Sequence, residues 1–267
     1  MESGDSHGQT AVLPSRRPLD RVRILGLTID NEKYEDGLAR LQRFIATDGT
    51  QVVHFIHCHG CLAAAKDDRT LETLSSADVV YGDGIGMRWA ARWRGVDLVG
   101  NLNGTDLVPD LLERGLGRQG RLFLLGGTPG EVAQARARAT KRFPQWDFVG
   151  HHHGYFEPEE EERILDCIRA SEPDVVLVGM GTPLQEQFIS RHRDDFGCSL
   201  VIAVGGLFAH LSERITRAPR WMRRLGLEWI GVVIQQPHKT GRYTVGSVEF
   251  LLRMAIARRA DRSASSR

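Results

Sequence analysis

Short apolar runs alternate with segments of helical periodicity along most of the chain. The apolar runs predict buried strands at 22–27, 51–56, 78–81, 121–125, 147–149, 174–178 and 200–204. Between them, apolar residues recur three and four positions apart, which predicts amphipathic helices at 34–46, 61–74, 130–143, 158–170 and 184–193. Alternating strands and helices build a parallel sheet with helices on both faces. We therefore predict an α/β fold with a Rossmann-like sheet, whose ligands bind at the carboxyl ends of the strands.

Composition is that of a folded protein with irregular ends. The 267 residues are 41% hydrophobic and 26% charged, close to globular averages. Residues 1–20 and 259–267 lack periodicity, and we predict that both are disordered tails. The chain between them divides into a Rossmann-like core at 21–213 and a basic C-terminal helical appendage at 214–258.

The net charge of +1 hides a strong asymmetry. From Arg214 to the C-terminus there are 12 basic and three acidic residues, so this part carries +9 and the preceding part −8. Trp221, Leu225 and Trp229 lie among these arginines, a composition typical of a helix on an anionic membrane surface. Docking of the helix on the core and a nucleic-acid patch are the alternatives.

Neither the cysteines nor the apolar runs indicate a secreted or membrane-spanning chain. No apolar run reaches the ~20 residues that a spanning helix needs. The first 17 residues lack the apolar stretch of a signal peptide. Cys58, Cys61, Cys167 and Cys198 do not form the spacing of a disulfide framework. We therefore expect a cytoplasmic protein with reduced thiols.

Three predicted strands run into glycine turns that precede helices. The turns contain Gly126 and Gly127, Gly179 and Gly181, and Gly205 and Gly206. Glycine lets backbone N–H groups approach an anion, so each turn could hold a phosphate. A tight strand-to-helix turn is the alternative for any single copy. None of the turns fits the dinucleotide or P-loop motifs.

Several polar side chains fall at predicted strand ends. Asp83 stands between two glycines after a strand, a suitable place for a general base, although such an aspartate also caps its own turn. Gln185 and Glu186 open a helix, as cap residues or as ligand contacts. Cys58 and Cys61 form a C-x-x-C pair that could serve redox chemistry, whereas no second pair completes a zinc site.

Five ordered segments resemble the WecG/TagA/CpsF family of bacterial glycosyltransferases over about 24–252. They are Ser-Ala-Asp-Val-Val-Tyr-Gly-Asp-Gly-Ile-Gly at 76–86, Leu-Leu-Gly-Gly-Thr-Pro-Gly at 124–130, Val-Gly-His-His-His-Gly-Tyr-Phe at 149–156, Val-Gly-Met-Gly-Thr-Pro-Leu-Gln-Glu at 178–186 and Arg-Ala-Pro-Arg-Trp-Met-Arg-Arg-Leu-Gly-Leu-Glu-Trp at 217–229.

The resemblance implies an activity. Family members transfer a sugar, N-acetylmannosamine in the best-known cases, from a UDP-sugar to a polyprenyl-diphosphate-linked sugar in cell-surface or exopolysaccharide synthesis. Transfer inverts the anomeric centre and needs no metal or other cofactor. The expected partners are therefore the UDP-sugar, the lipid-linked acceptor and an anionic membrane surface. The expected location is peripheral, on the inner face of the cell membrane, without nucleic acid; a homo-oligomer remains open.

The resemblance also implies residue roles. Asp83 matches the base that deprotonates the acceptor hydroxyl, Gln185 a pocket glutamine, and Tyr155 an aromatic against the nucleotide. The glycine turns would surround the UDP. A set of arginines in the appendage would close the site over the diphosphate, namely Arg214, Arg217, Arg220, Arg223 and Arg224.

The chain departs from the family pattern at three positions. His57 replaces an asparagine and is a second candidate for the base. Asn101 replaces an arginine ahead of Asn103 and Thr105, which we also expect near substrate, and Ala209 replaces an aspartate. Two other functions remain open: a nucleotide-sugar-binding protein without turnover, and a redox protein that uses the C-x-x-C pair.

Overall fold

Eight strands form one sheet in the computed structural model, which describes residues 20–216, 218–219, 222, 228–235, 246 and 248–257. The strands are β1 (Asp20–Ile24), β2 (Leu27–Asn31), β3 (Gln51–Ile56), β4 (Val79–Gly82), β5 (Gly120–Gly126), β6 (Trp146–His152), β7 (Val175–Gly179) and β8 (Leu200–Ala203). Their order is β1-β2-β4-β3-β8-β7-β5-β6. Only β1 pairs antiparallel, and the predicted α/β class with a mostly parallel sheet is confirmed.

Helices follow nearly every strand and cover both faces of the sheet. They are α1 (Tyr34–Ile45), α2 (Cys58–Ala64), α3 (Asp68–Ser75), α4 (Ile85–Trp93), α5 (Gly104–Arg114), α6 (Pro129–Arg142), α7 (Glu161–Ala170), α8 (Leu184–Arg191), α9 (Leu207–Leu211) and α10 (Glu228–Gln235). A further helical segment, the C-terminal helix, spans 248–257.

The central strands are apolar on both faces because helices bury both. In β7, Val175 and Leu177 pack in the cluster that contains residues of α1, α5, α6 and α9. Val176 and Val178 point the other way, into the cluster with α7 and α8. This explains why the strands appear in the sequence as continuous apolar runs instead of alternating ones.

The first apolar run is a hairpin and not the single strand predicted at 22–27. β1 and β2 pair through Ile24 and Leu27, and the turn between them consists of Leu25 (φ 49°) and Gly26 (φ 92°). Positive φ at both central residues is the geometry that reverses a chain in two residues.

The single helix predicted at 61–74 is two helices, α2 and α3. The side chain of Asp67 accepts a hydrogen bond from the Thr70 N–H at 2.9 Å and so begins α3. Aspartate at this position satisfies an N–H group that has no partner inside the helix.

The C-terminal helix packs on the core. Phe250 and Met254 are buried in the same apolar cluster as Ile24 of β1 and Met87 of α4. This part of the predicted appendage therefore docks by its apolar face, whereas docking of the helix that contains Trp221, Leu225 and Trp229 stays a prediction.

Most of the predicted basic helix that contains Trp221, Leu225 and Trp229 lies outside the described residues, and it stays a prediction. In the segments that the structure describes, no helix is both long enough and apolar enough to cross a bilayer.

Candidate active site

The carboxyl ends of the seven parallel strands meet at one edge of the sheet. The pairing of β3 with β8 joins strands β1–β4 to strands β5–β8, so segments that are distant in the sequence lie close together at this edge. This edge carries, at or just beyond the strand ends, His57 (β3), Asp83 (β4), Gly126 and Gly127 (β5), Tyr155 (β6), Gly179, Gly181 and Gln185 (β7), and Gly205 and Gly206 (β8).

Asp83 and His57 stand side by side along this edge. Ile56 and Gly82 are register partners in β3 and β4, and the two polar residues each follow one of them. The N–H of Asp83 donates to the Ile56 carbonyl oxygen at 2.9 Å, which continues the ladder one residue beyond the strand. Asp83 is half-buried, so the sheet fixes its backbone while part of the residue reaches solvent.

His57 caps α2, and this cap fixes which ring nitrogen carries hydrogen. Its Nδ1 accepts a hydrogen bond from the Gly60 N–H at 3.2 Å. A backbone N–H can only donate, so Nδ1 carries no hydrogen and the neutral ring is protonated at Nε2. His57 is thus a donor at Nε2, and acting as a base there would require loss of the cap. The geometry disfavours His57 as the base.

Gln185 joins the turns that follow β7 and β8. Its Oε1 accepts hydrogen bonds from the N–H groups of Gly181 at 3.2 Å and Gly205 at 3.0 Å. Its Nε2 donates to Glu186 Oε1 at 2.8 Å. The side chain is buried, and all these bonds are internal to the protein.

The carboxyl group of Glu186 lies beneath this junction. Oε1 also accepts from the Thr182 hydroxyl at 2.9 Å, while Oε2 has no hydrogen-bond partner among the described residues. Burial raises the pKa of this carboxyl above its usual value, and the bonds from Gln185 and Thr182 oppose that shift.

Glycine at 126 is required by a close approach of β5 to β7, and the next residue, Gly127, has a positive φ of 64°. A Cβ at Gly126 would overlap the Gly179 carbonyl group, and the Gly127 N–H donates to that same carbonyl oxygen at 3.0 Å. The N–H groups of Gly127, Gly181 and Gly205 therefore already have protein acceptors. Tight packing accounts for Gly126, whereas Gly127, Gly181 and Gly205 adopt the positive φ that favours glycine; the role of these turns toward phosphate stays a prediction.

The loop after β6 folds over the β5 turn and holds Tyr155 there. The Gly154 N–H donates to the Gly127 carbonyl oxygen at 3.0 Å, and the Tyr155 N–H donates to His153 Nδ1 at 3.3 Å. Tyr155 is 72% exposed. An aromatic ring therefore stands at the rim of the edge without burial against the protein.

Asn103 is occupied as the N-cap of α5. Its Oδ1 accepts hydrogen bonds from the Asp106 N–H at 2.8 Å and from the Thr105 hydroxyl at 2.9 Å. Gly104 packs on the Phe55 ring of β3, which brings this cap close to the same sheet edge. Asn101 is exposed on the loop that precedes the cap.

One of the predicted arginines reaches this edge within the described residues. Arg214 forms an ion pair at 3.3 Å with Glu131, which lies against Gly127 in the first turn of α6. Arg217, Arg220, Arg223 and Arg224 lie outside the described residues. Sequence reasoning missed Glu131, although a threonine three residues before a glutamate is a helix-start signal that was available.

The C-x-x-C pair does not have the environment of a redox centre. Cys61 is buried, and its Sγ lies 3.7 Å from Met87 Sδ. Burial raises the pKa of the Cys61 thiol, which disfavours a thiolate at this position. The cysteine residues serve the packing of α2 against α4.

The sequence of nearly the whole chain matches one known protein family. Residues 22–264 match the profile described as "Glycosyl transferase WecG/TagA/CpsF family". The chain belongs to this family. The protein is therefore a glycosyltransferase, as its motifs predicted.

Two relatives of the chain share one enzyme name with each other. An N-acetylglucosaminyldiphosphoundecaprenol N-acetyl-beta-D-mannosaminyltransferase of Staphylococcus aureus (strain MW2) is 28% identical over 246 residues, 91% of this chain and 96% of that protein. The enzyme with that name from Bacillus spizizenii is 32% identical over 179 residues, 67% of this chain and 69% of that protein.

Proposed function

We propose that this glycosyltransferase moves N-acetylmannosamine or a related sugar from a UDP-sugar to a polyprenyl-diphosphate-linked sugar in cell-surface polymer synthesis. The convergence of Asp83, Gln185 and the glycine turns after β5 and β7 at one sheet edge carries the proposal, because these residues belong to the segments that carry the family resemblance. The names of the relatives support the acceptor and the sugar. The donor nucleotide rests on the family resemblance.

Asp83 is the proposed base. Its carboxylate accepts the proton of the acceptor hydroxyl while the oxygen of that hydroxyl attacks the anomeric carbon. The bond between this carbon and the UDP oxygen breaks on the opposite side, so the configuration inverts. Asp83 lies one residue beyond β4, and its backbone N–H is bonded to Ile56. This position supports the role of base, because a base must be held within reach of the proton that it accepts.

His57 and Arg214 would both bind oxygen atoms of the substrates. Nε2 of His57, protonated in the neutral ring, can donate a hydrogen bond to a substrate oxygen beside Asp83. Arg214 would meet the diphosphate that leaves, because a guanidinium binds such oxygens through paired hydrogen bonds. Its place beside the β5 turn supports that contact.

A lipid-linked acceptor requires the enzyme to work at a membrane surface. We propose a peripheral location on the inner face of the cell membrane, reached through the basic C-terminal part. The charge of +9 from Arg214 onward supports it, since each basic residue near an anionic surface contributes about 1 kcal/mol.

The test has a binding arm and a transfer arm. Calorimetry compares UDP, GDP, CMP and ADP on the purified protein, and a transfer assay supplies UDP-N-acetylmannosamine with a short-chain polyprenyl-diphosphate N-acetylglucosamine. We expect selective UDP binding and a disaccharide product on the lipid. UDP binding without product from any tested UDP-sugar would point to a binding protein without turnover. Absence of binding to all four nucleotides would contradict the proposed donor.

A further inference from the structure

The buried carboxyl of Glu186 is used by neither the proposed base nor the proposed diphosphate contacts, yet it touches the side chain that joins two turns of the site. It lies at the start of α8, directly after Gln185, and is fully buried. Burial of an acidic side chain is costly unless its oxygens accept hydrogen bonds. The hydrogen bonds that this carboxyl accepts therefore indicate its role.

Both bonds that Glu186 accepts end on one oxygen. The Thr182 hydroxyl and Gln185 Nε2 donate to Oε1, at 2.9 and 2.8 Å. The bond from Nε2 decides how the Gln185 carboxamide is oriented. With nitrogen toward the carboxyl, its oxygen faces the N–H groups of Gly181 and Gly205, which need an acceptor.

We propose that Glu186 is a positioning residue, which holds the Gln185 carboxamide in the orientation that fixes the turns after β7 and β8. The inference rests on the proposed function, because it takes these turns as part of the active site. It also connects to the β5 turn, since Gly179 at the end of β7 accepts the Gly127 N–H. One acceptor atom thus orients the carboxamide that joins the turns of two neighbouring strands, and the β5 turn is bonded to β7 beside them.

The role requires an acceptor at the position of Oε1 and nothing at that of Oε2. Oε2 has no partner among the described residues, and burial favours the neutral form of the carboxyl. A glutamine at 186 can place its amide oxygen where Oε1 lies and accept both bonds. A leucine of similar size accepts neither.

The test compares Glu186→Gln and Glu186→Leu with a matched core variant, Leu165→Ala. Leu165 is buried in α7 within the apolar cluster that also contains Phe188 of α8, and it takes no part in the hydrogen-bond network. Each variant is measured for kcat and for both KM values below its own unfolding temperature. Amide exchange of Gly181 and Gly205 is measured relative to Val204, whose N–H donates to the Val178 carbonyl between the strands.

We expect Glu186→Gln to stay within about threefold of the wild-type kcat, since both accepted bonds persist. Glu186→Leu should lose at least about tenfold in kcat, the scale of a buried group left without its hydrogen-bond partner, and should expose the amides of Gly181 and Gly205 to faster exchange. Leu165→Ala should keep its kcat and the relative exchange of these amides. If the leucine variant does not fold, Glu186→Ala takes its place.

Three results would overturn the proposal. The first is unchanged kcat and amide exchange in Glu186→Leu. The second is a loss in Glu186→Gln as large as in Glu186→Leu, because then the charge and not the acceptor would matter. The third is failure of both the leucine and alanine variants to fold beside a fully active glutamine variant. If the wild-type protein transfers no sugar, the proposed function fails, and the exchange measurement still decides the role of Glu186.

Discussion

The docking of the C-terminal helix can be tested by one buried and one exposed side chain on the same helix. Met254 is 1% exposed and packs in the cluster beneath α4, whereas Leu252 is 60% exposed. Truncation to alanine removes three heavy atoms in either case. Only the buried side chain leaves a cavity, so Met254→Ala should lower the free energy of unfolding by about 2–5 kcal/mol. Leu252→Ala should change it by no more than about 0.5 kcal/mol.

Urea unfolding followed by circular dichroism measures both values, and the melting temperature offers a second readout. For a chain of this size each kcal/mol lowers Tm by about 2–4 °C, so the Met254 variant should melt visibly earlier than the Leu252 variant. Equal stability of the two variants would refute the packing argument. The C-terminal helix would then be an appendage independent of the catalytic core.

Three further predictions concern a turn, a cap and a buried histidine. Gly126→Ala should destabilise the fold strongly because its Cβ overlaps β7, whereas Gly130→Ala in α6 meets nothing within 4 Å and should be neutral or stabilising by up to about 1 kcal/mol; urea midpoints compare them. Asn103→Ala should cost about 1–2 kcal/mol in the same assay through the lost N-cap, whereas Asn103→Ser keeps a cap oxygen and should retain most of that stability. Burial lowers the pKa of His54 to about 4, so the unfolded chain takes up a proton near pH 6.5 while the folded protein resists until about pH 4. Stability should therefore fall by about 3 kcal/mol between those values, and His54→Leu should flatten that slope; an equally steep slope in the variant would contradict the assignment.

The sequence predicted the parallel sheet because its central strands are buried on both faces and therefore appear as uninterrupted apolar runs. The hairpin of β1 and β2 was missed for another reason, because the turn between the two strands is as apolar as the strands themselves. Leu25 is apolar and rarely adopts positive φ, so nothing local distinguishes the turn at Leu25 and Gly26 from the middle of a strand. The break between α2 and α3 was detectable, since Asp67 is a common cap residue.

The candidate site was only partly predictable for a different reason. The sequence placed Asp83 and Gln185 at strand ends, and the structure brings them to the same edge. Gln185 can join two turns only because β7 lies beside β8. No local sequence pattern predicts the order of the strands in the sheet. The tautomer of His57 likewise depends on the helix that begins beside it.

The central claim, that Asp83 is the base of a glycosyltransferase, is tested most directly by the transfer rate of Asp83→Asn. Asparagine keeps the size of the side chain and cannot accept the proton. We expect kcat to fall by about 10²–10⁴-fold with an unchanged melting temperature and little change in UDP affinity. Near-normal transfer by the folded variant would contradict the account and would require another base at this edge of the sheet.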